Sequence, residues 1–414
     1  LEGVALYNIA KTNSTLTNEK GVANLSDFPI GDTIYVQYFG YENDSFIITR
    51  EQLNSGFKMV MNPKEQALDE IILSVARNSL KRKQIAEKVI VISSEEIFTQ
   101  KPATGADLLM LSPGVRIQKS QGGGGSPIVR GFEANRLLLV VDGIRMNNAI
   151  YRSGHLQNAI TIHPNIIERV EVIFGSSSVG YGSDALGGVI HYYTKSPLIN
   201  SEKKIRTQFS SDFSSVNNAS VNSFSSEISF KKWAFLTSFS YSSFGDIRMG
   251  KNRRHGFDSW GLNNFYSLNN RNIYSPEPLI NENPLVQKNT SYNQIDLLQK
   301  FLFQIKGQNQ LVLNLQYSNS SDIPRYDKLV EERNGSLRYA EWYYGPQKRF
   351  LFSPQLKIFP DKKYLKSGKI NFAFQSIEES RINRLFNSLT RNYQTEKLNA
   401  VSLNGDFGFQ LNKK

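Results

Sequence analysis

A chain of 414 residues can form about two or three domains, but with no cysteine it has neither disulfide bridges nor thiolate metal sites. Its 49 lysine and arginine residues against 37 aspartate and glutamate residues give a formal net charge of +12. These charges are scattered, with Lys81-Arg82-Lys83 as the densest cluster, so they do not single out nucleic acid as a partner. A surface that faces anionic lipid or an acidic ligand explains them equally well.

Membrane-spanning helices are excluded because no run of about 18 apolar residues exists. A membrane β-barrel stays open, since each of its strands needs only about 9–11 residues. The chain begins at Leu1 instead of a methionine, and we expect it to be a fragment or a processed form.

The first 62 residues predict a small β-sandwich. Short apolar runs alternate with turn signals such as Asn18-Glu19-Lys20-Gly21 at a spacing of about 8–12 residues. Predicted strands cover residues 3–7, 22–25, 33–38, 45–48 and 57–61. No zinc-binding set of His and Glu accompanies them, so a peptidase has no support here.

Residues 63–88 are predicted to be a linker. It contains a short β-prone segment followed by a basic, polar run at 77–88, and the segment consists of Asp69, Glu70, Ile71, Ile72, Leu73 and Ser74. One interpretation is the last strand of the sandwich. The other is an edge strand offered to a partner, because an extended segment can add to another protein's sheet.

Residues 89–200 predict a compact α+β domain. Expected strands cover residues 89–92, 115–118, 128–130, 137–141, 169–174 and 189–193, and a short helix covers 105–111. The fourth strand stops at the turn pair Asp142-Gly143. The glycine run 122–125 lacks the Gly-Lys-Ser/Thr of a phosphate cradle, which argues against nucleotide binding.

Residues 201–414 alternate between bulky and small polar side chains, as in 233–242. Short connections at 231–232, 306–309 and 361–368 alternate with long ones at 245–290, 318–344 and 379–397. This one-sidedness is typical of an outer-membrane barrel, and it is less typical of a soluble sandwich or barrel. We expect about eight strands, and a barrel of eight strands has no room for a preceding domain. If that domain lies inside the barrel, the barrel must be larger and only part of it is present.

Several motifs together resemble the plug domain of TonB-dependent outer-membrane receptors. They are Ser112-Pro113-Gly114-Val115, Ile128-Val129-Arg130-Gly131-Phe132, 138–143, Ile167-Glu168-Arg169-Val170-Glu171-Val172 and the run 180–190. Ile323-Pro324-Arg325-Tyr326-Asp327 and 341–347 are similar to receptors of the Bacteroidetes type. Gly40-Tyr41 resembles part of a carboxypeptidase-regulatory-like domain.

The resemblance implies a mainly β protein. Its parts are a carboxypeptidase-regulatory-like β-sandwich at 1–62, a linker at 63–88, an α+β plug domain at 89–200, and an incomplete antiparallel transmembrane β-barrel at 201–414. The barrel holds about 8 of an implied 22 strands. The implied location is the outer membrane of a Gram-negative bacterium, in contact with its lipid.

The resemblance also implies active import driven by TonB of the inner-membrane complex. TonB would pair with the segment Asp69, Glu70, Ile71, Ile72, Leu73 and Ser74 as an added strand. Arg130 and Arg169 fall at the positions of plug arginines that pair with barrel glutamates. No cofactor is expected to be permanently bound.

Haem or a haem protein is the first expected cargo. His155 lies in a Gly-His-Leu loop at the position where several haem importers hold the iron, and Tyr151 is a second candidate axial ligand. His163 and His191 are instead expected to be structural, because a lone histidine more often serves as a hydrogen-bonding group.

A ferric siderophore is the alternative cargo, because an anionic chelate suits a basic and aromatic surface. The candidate residues are Arg145, Arg152, Arg253, Arg254, Trp260 and Tyr266. A glycan importer that works with a surface lipoprotein is a third option. Other classes of protein have less support from the sequence. It has no Gly-x-Ser-x-Gly or His-Glu-x-x-His motif of an enzyme, a passive pore would need no plug, and an adhesin would need no coupling segment.

Overall fold

The computed structural model describes residues 1–8, 12–38, 41, 44–61, 71–72, 80–81, 87–146, 148–150, 158–175, 178–252, 256–268, 276–360 and 364–409. The chain divides into two units, Leu1–Ile72 with Ser79–Ala86, and Leu73–Asn78 with Glu87–Lys414. No helix within these described ranges has the length and apolar character needed to cross a membrane.

The first unit is built on one antiparallel sheet of four strands, in the order β2-β1-β3-β4. The strands are β1 (Ala5–Asn8), β2 (Ser14–Leu16), β3 (Thr33–Gln37) and β4 (Asp44–Ile47). Helix α1 (Arg50–Ser55) follows, and its start is set by a capping box between Thr49 and Gln52. Two short antiparallel strands, β5 (Ile71–Ile72) and β6 (Leu80–Lys81), complete the unit.

The described residues of this unit form a four-stranded sheet, one helix and the separate pair β5-β6. The predicted sandwich of two facing sheets stays a prediction. Residues 22–25 and 57–61 are not strands. Leu25 and Met59 still pack against the core around Ile34, which explains why their apolar pattern resembled that of strands. The kinship with a carboxypeptidase-regulatory-like domain stays a prediction.

The region predicted to be a plug domain, for which we keep that name, opens the second unit and combines short helices with a sheet of five strands. In chain order its elements are β7 (Lys88–Ser93), α2 (Ser94–Gln100), α3 (Gly105–Leu109), β8 (Val115–Gln118), β9 (Ser126–Val129), β10 (Leu137–Val141), β11 (Ile144–Arg145), β12 (Ile167–Phe174), α4 (Ser178–Tyr181) and β13 (Gly188–Thr194). The sheet order is β11-β10-β13-β12-β7, with β10 and β13 parallel, and β8 pairs with β9 separately.

The six strands predicted from the sequence for the plug domain are all present. Two of them, β8 and β10, have the predicted bounds. All five side chains of β10 are buried, because it lies inside the sheet with the parallel β13 beside it. Helix α2 was missed. Its start is encoded by a capping box in which Ser93 and Glu96 each bond the other's backbone.

The remaining chain forms the ten-stranded antiparallel sheet that we call the wall sheet, together with short accessory strands. In chain order the elements are β14 (Lys204–Ser214), β15 (Ala219–Ser229), β16 (Trp233–Phe244), β17 (Ile247–Arg248), β18 (Phe265–Tyr266), β19 (Leu279–Ile280), β20 (Val286–Gln287), β21 (Tyr292–Gln304), β22 (Gln310–Ser320), β23 (Ile323–Pro324), α5 (Tyr326–Leu329), β24 (Glu332–Arg333), β25 (Ser336–Leu337), β26 (Tyr339–Tyr344), β27 (Lys348–Ile358), β28 (Leu365–Leu385) and β29 (Arg391–Phe409).

The wall sheet runs in the order β14-β15-β16-β21-β22-β27-β28-β26-β23, and β29 pairs with β28. Eight of its strands are 11–21 residues long, and the other two, β23 and β26, are shorter. The predicted count of about eight strands stays a prediction. The total of 22 remains an implication of the resemblance. In the described part of the chain, β14, β23 and β29 each pair on one side only, and the sheet does not close.

The predicted long loop at 379–397 is wrong. Strands β28 and β29 continue to pair from Glu379 with Glu396 up to Arg384 with Arg391, so only 386–390 connects them. The long connections after β16 and β22 are present, and each carries small hairpins.

The two faces of the wall sheet have inverted polarity. Buried positions carry Ser238, Ser240 and Asn314, whereas Phe239 is 42% exposed and Leu297 37% exposed. Soluble sheets bury their apolar face and expose their polar one. Here the polar face turns inward, against the plug domain, and the apolar face turns outward.

Candidate functional site: the buried contacts between the plug domain and the wall sheet

A tight turn between β10 and β11 aims one carboxylate at the wall sheet. Asp142 has φ +49° and Gly143 has φ +89°, and Val141 pairs with Ile144 across them. Positive φ at both central residues defines the type I′ hairpin turn, for which Asp-Gly is a preferred pair. The backbone N–H of Gly143 donates to Nε2 of His191 at 2.9 Å, which fixes the turn on the neighbouring β13.

The Asp142 carboxylate lies at the centre of a hydrogen-bond network that joins the plug domain to the wall sheet. Within the plug domain, Thr194 donates from its N–H to Oδ1 at 2.9 Å and from its hydroxyl to Oδ2 at 2.6 Å. The wall sheet adds three donors to Oδ2, namely Lys300 Nζ at 3.1 Å, Asn314 Nδ2 at 2.8 Å and Gln316 Nε2 at 3.2 Å.

Burial and charge act against each other at this carboxylate. Burial raises the pKa of Asp142, but the charge of Lys300 and the hydrogen bonds from Thr194 outweigh it and hold the pKa below its ordinary value. Asp142 is therefore an anion, and Lys300 is its counter-ion. Lys300 also donates to the carbonyl of Thr194 and to the hydroxyl of Ser196, both at 3.1 Å, so it binds the end of β13 as well.

A second group of polar contacts surrounds His163. Its Nε2 lies 3.2 Å from the hydroxyl of Ser242 on β16, and its Nδ1 accepts from the N–H of Asn165. The Asn165 side chain in turn donates to Ser223 on β15. Burial lowers the pKa of His163 to about 4, helped by the positive charge of Lys195, so the imidazole is neutral near pH 7.

The glycine loop of the plug domain meets the wall sheet through close packing. A Cβ on Gly123 would lie 2.8 Å from Ile160 Cδ1 and 2.9 Å from Tyr292 Cζ, so no larger residue fits without a shift. Gln121 forms a β-bridge with Arg325, and the Tyr326 hydroxyl donates to the carbonyl of Lys119 at 2.8 Å. The connection after β22 therefore touches the same loop.

Apolar contacts accompany the polar ones. Leu236, Leu298 and Leu351 from the wall sheet are buried within the main core of the plug domain. The interface is thus mixed, with a small apolar contribution and a large number of directional hydrogen bonds. Such bonds exchange readily with water, so this interface can separate at a lower cost than a purely apolar core.

The predicted plug arginines interact within the plug domain. Arg169 forms an ion pair with Glu171 at 3.0 Å and lies over the ring of Tyr193. The guanidinium of Arg130 lies 5.0 Å from the ring centre of Phe174. Their pairing with barrel glutamates stays a prediction.

Arg145, a predicted cargo contact, stabilises the turn at residues 181–184 of the plug domain. It forms an ion pair with Asp184 at 2.7 Å and donates to the carbonyls of Tyr181 and Ser183. Its own carbonyl accepts from Gln375 of the wall sheet at 2.9 Å. Its role as a cargo contact stays a prediction.

The other predicted ligand residues are only partly described. Trp260 is exposed, and Tyr266 lies under the ammonium of Lys288, 5.9 Å from its ring centre. His155, Tyr151, Arg152, Arg253 and Arg254 lie outside the described residues, as do Asp69, Glu70, Leu73 and Ser74 of the predicted coupling segment. Its remaining residues, Ile71 and Ile72, form β5.

His163 and His191 are structural hydrogen-bonding groups, as predicted. Within the described ranges, no group of three or more His, Asp or Glu side chains is arranged to hold a metal ion. The sequence prediction missed Asp142, Lys300, Asn314 and Gln316. The available signal was the polar character of alternate positions in the wall strands, which marks an inward face but not its partners.

Comparison with known proteins identifies the central part of the chain. Residues 81–189 match the family model described as TonB-dependent Receptor Plug Domain. The chain therefore contains a plug domain of the TonB-dependent receptors.

Curated relatives are receptors and transporters. The vitamin B12 transporter BtuB of Vibrio vulnificus (strain CMCP6) is 28% identical over 72% of this chain, and the hemin receptor of Yersinia pestis is 33% identical over 32% of it. The chain spans 40% of the length of the former relative and 19% of the latter.

Solved structures share the fold. The copper transporter OprC superposes with a TM-score of 0.57 at 14% identity, over 78% of this chain and 43% of that one. A ferric enterobactin receptor of Pseudomonas aeruginosa, solved in complex with enterobactin, gives a TM-score of 0.55 at 16% identity, over 80% and 48%.

Proposed function

We propose that this chain is the plug domain and part of the barrel of a TonB-dependent importer in the bacterial outer membrane. The observation that carries the proposal is the inverted polarity of the wall sheet, with Ser240 and Asn314 buried against the plug domain and Phe239 exposed. An exposed apolar face of this extent is costly in water and favourable in lipid. Lipid of the outer membrane is therefore the expected partner of that face.

The plug domain supplies the reason for energy coupling. A plug held by buried hydrogen bonds and an ion pair blocks diffusion, so cargo passes only after work is done on it. TonB is the proposed source of that work. The segment 69–74 is the proposed attachment point, because a β-prone segment that precedes the plug domain in the sequence can pair with a partner's sheet.

Haem or a ferric siderophore is the proposed cargo, bound by the plug apex and the long connections. The named ligands of the Yersinia hemin receptor and of the Pseudomonas ferric enterobactin receptor support this class. A corrinoid is the second candidate, favoured by the Vibrio vitamin B12 transporter, which aligns with 72% of this chain. The Bacteroidetes affiliation, a glycan cargo and a surface lipoprotein partner remain further hypotheses from the sequence.

Uptake in cells with and without TonB tests the transport proposal. The full-length receptor is expressed in a strain that lacks its own importers, and cells are supplied with haem, a ferric siderophore or a corrinoid. Growth that requires both the receptor and TonB is the expected result. Deletion of residues 68–75 should abolish uptake but preserve surface binding, and uptake that survives this deletion contradicts the proposal.

Haem titration tests the cargo assignment separately. The full-length protein should shift the Soret band of haem, and His155→Ala should remove that shift. His255→Ala, in the long connection after β16, serves as the comparison variant. A Soret shift that is absent, or that His155→Ala leaves unchanged, excludes His155 as the haem ligand.

A further inference from the structure

The wall sheet holds the Asp142 carboxylate in a site with more donors than a simple ion pair needs. Lys300, Asn314 and Gln316 come from two adjacent strands, β21 and β22, and all three reach the same oxygen. Convergent donors of one charged and two amide groups are typical of a binding site for a carboxylate or phosphate oxygen. The wall residues belong to long paired strands, which fix the positions of their backbones.

Arg349 on β27 adds an incompletely used cation to the same surface. Its Nη1 donates to Oε1 of Gln316 at 3.1 Å, and Gln316 in turn donates to Asp142. The Arg349 side chain is 3% exposed, yet its Nε and Nη2 have no hydrogen-bond partner among the described residues. Two buried guanidinium donors without an acceptor among the described residues favour an acceptor from outside the protein at this place.

Basic side chains continue along the same face toward the short connections. Lys357 and Lys369 are opposite each other on β27 and β28, in the same alternation as Arg349. A Cβ built on Gly143 would lie 3.5 Å from Lys369 Nζ, so this lysine reaches the turn that carries Asp142. Acids on this face include Asp296 on β21, Glu379 on β28 and Asp406 opposite Lys369 on β29.

We propose that Lys300, Asn314, Gln316 and Arg349 form an oxyanion site on the inner wall, which Asp142 occupies at rest and anionic cargo occupies when the plug domain moves away. The inference rests on the proposed function and narrows its cargo to molecules with exposed carboxylate, phosphate or similar oxygen groups. Withdrawal of Asp142 leaves Lys300 without its counter-ion, so an arriving anion takes over the same hydrogen bonds. The Asp142 carboxylate therefore occupies the oxyanion site until the plug domain moves away.

Ion selectivity tests this proposal without knowledge of the cargo. The full-length receptor is inserted into a bilayer of zwitterionic lipid, urea loosens the plug domain, and the reversal potential is measured in a KCl gradient. Lys300→Gln and Arg349→Gln should each lower the chloride-to-potassium permeability ratio by about twofold or more, because a lumenal cation concentrates anions. Lys348→Gln is the matched control, since its side chain leaves the same strand on the opposite face.

The outcomes separate the two proposals. Channels whose permeability ratio falls in Lys300→Gln and Arg349→Gln but not in Lys348→Gln support the oxyanion site. Channels whose ratio is the same in all variants overturn it and leave the proposed function intact. Among the described residues, the hydrogen bond of Arg349 goes to Gln316 of the wall sheet, so Arg349→Gln keeps the test decisive if Lys300→Gln fails to assemble. Failure of the wild-type protein to form any channel overturns both proposals.

Discussion

Asp142 of the plug domain and Lys300 of the wall sheet form a buried ion pair, with 3.1 Å between Oδ2 and Nζ. Both side chains are nearly inaccessible to solvent, and 158 positions separate them in the sequence. The same lysine also donates to the carbonyl of Thr194. It therefore connects the C-terminal ends of both parallel strands, β10 and β13, to the wall sheet. This pair is one of the contacts that hold the plug domain against the wall sheet.

Breaking this pair from one side should release the plug domain more easily. Asp142→Ala leaves Lys300 buried without a counter-ion, and the free energy of plug unfolding should fall by about 3–5 kcal/mol. Urea titration followed by a fluorophore on Phe98→Cys, an exposed position on α2, measures this change.

A double variant provides the control for this prediction. Asp142→Ala combined with Lys300→Met removes both charges, and it should recover a large part of the loss. Equal losses in the single and double variants would show that the ion pair itself contributes little.

Acidification should weaken the contact around His163. The pKa of this buried imidazole is lowered to about 4, whereas an unfolded histidine titrates near 6.5, so the folded state resists protonation. The corresponding stability is fully present above about pH 6.5 and is lost as the pH falls toward 4, by up to about 3 kcal/mol. The same urea titration between pH 7.5 and pH 4, with wild type and His163→Gln, measures it. A wild-type profile no steeper than that of His163→Gln would contradict the assignment.

Gly105 should not tolerate even a methyl group. A Cβ there would lie 2.4 Å from the carbonyl oxygens of both Ala159 and Ile162, and neither is a flexible side-chain end. Gly105→Ala should therefore cost at least about 2 kcal/mol of plug stability by urea titration. Gly250→Ala is the matched control, because nothing lies within 4 Å of its Cβ position. Similar stabilities for the two variants would refute the predicted close approach.

The exposed face of the wall sheet should contact lipid. Since the chain has no cysteine, a single nitroxide can be placed at Phe239→Cys on the exposed face or at Ser238→Cys on the buried face. In the reconstituted receptor, oxygen should strongly broaden the signal of the nitroxide at position 239, because oxygen concentrates in lipid. A water-soluble nickel reagent should not broaden that signal. A Phe239 label that responds to nickel instead would place that face in water.

Local sequence patterns predicted much of the fold. The apolar run of β10 and the Asp-Gly pair after it gave both the strand and its turn, because these signals lie within a few adjacent residues. Alternation in β16 predicted that the two faces of this strand differ in polarity. The extension of β28 to Leu385 was missed. Residues 379–397 were predicted to be a loop, yet alternate positions from Ser380 to Arg384 are buried.

Partners across the interface were beyond such patterns. Asp142 contacts Lys300, Asn314 and Gln316 only after three separate sheet registers have been set, and no local signal in the sequence pairs them. In the first unit, residues 57–61 are apolar enough for a strand but pack as an irregular segment against the core. Long-range packing decided both cases.

The most direct test of the account is a reversible tether between the plug domain and the wall sheet. Asn165 and Ser223 are in side-chain contact, so Asn165→Cys with Ser223→Cys should form a disulfide that fixes the plug domain in place. For a cargo that the wild-type receptor imports, the oxidised double variant should bind normally but import nothing, and a reductant should restore import. The two single-cysteine variants serve as controls. Undiminished import by the fully tethered receptor would contradict the claim that the plug domain must leave this contact for cargo to pass.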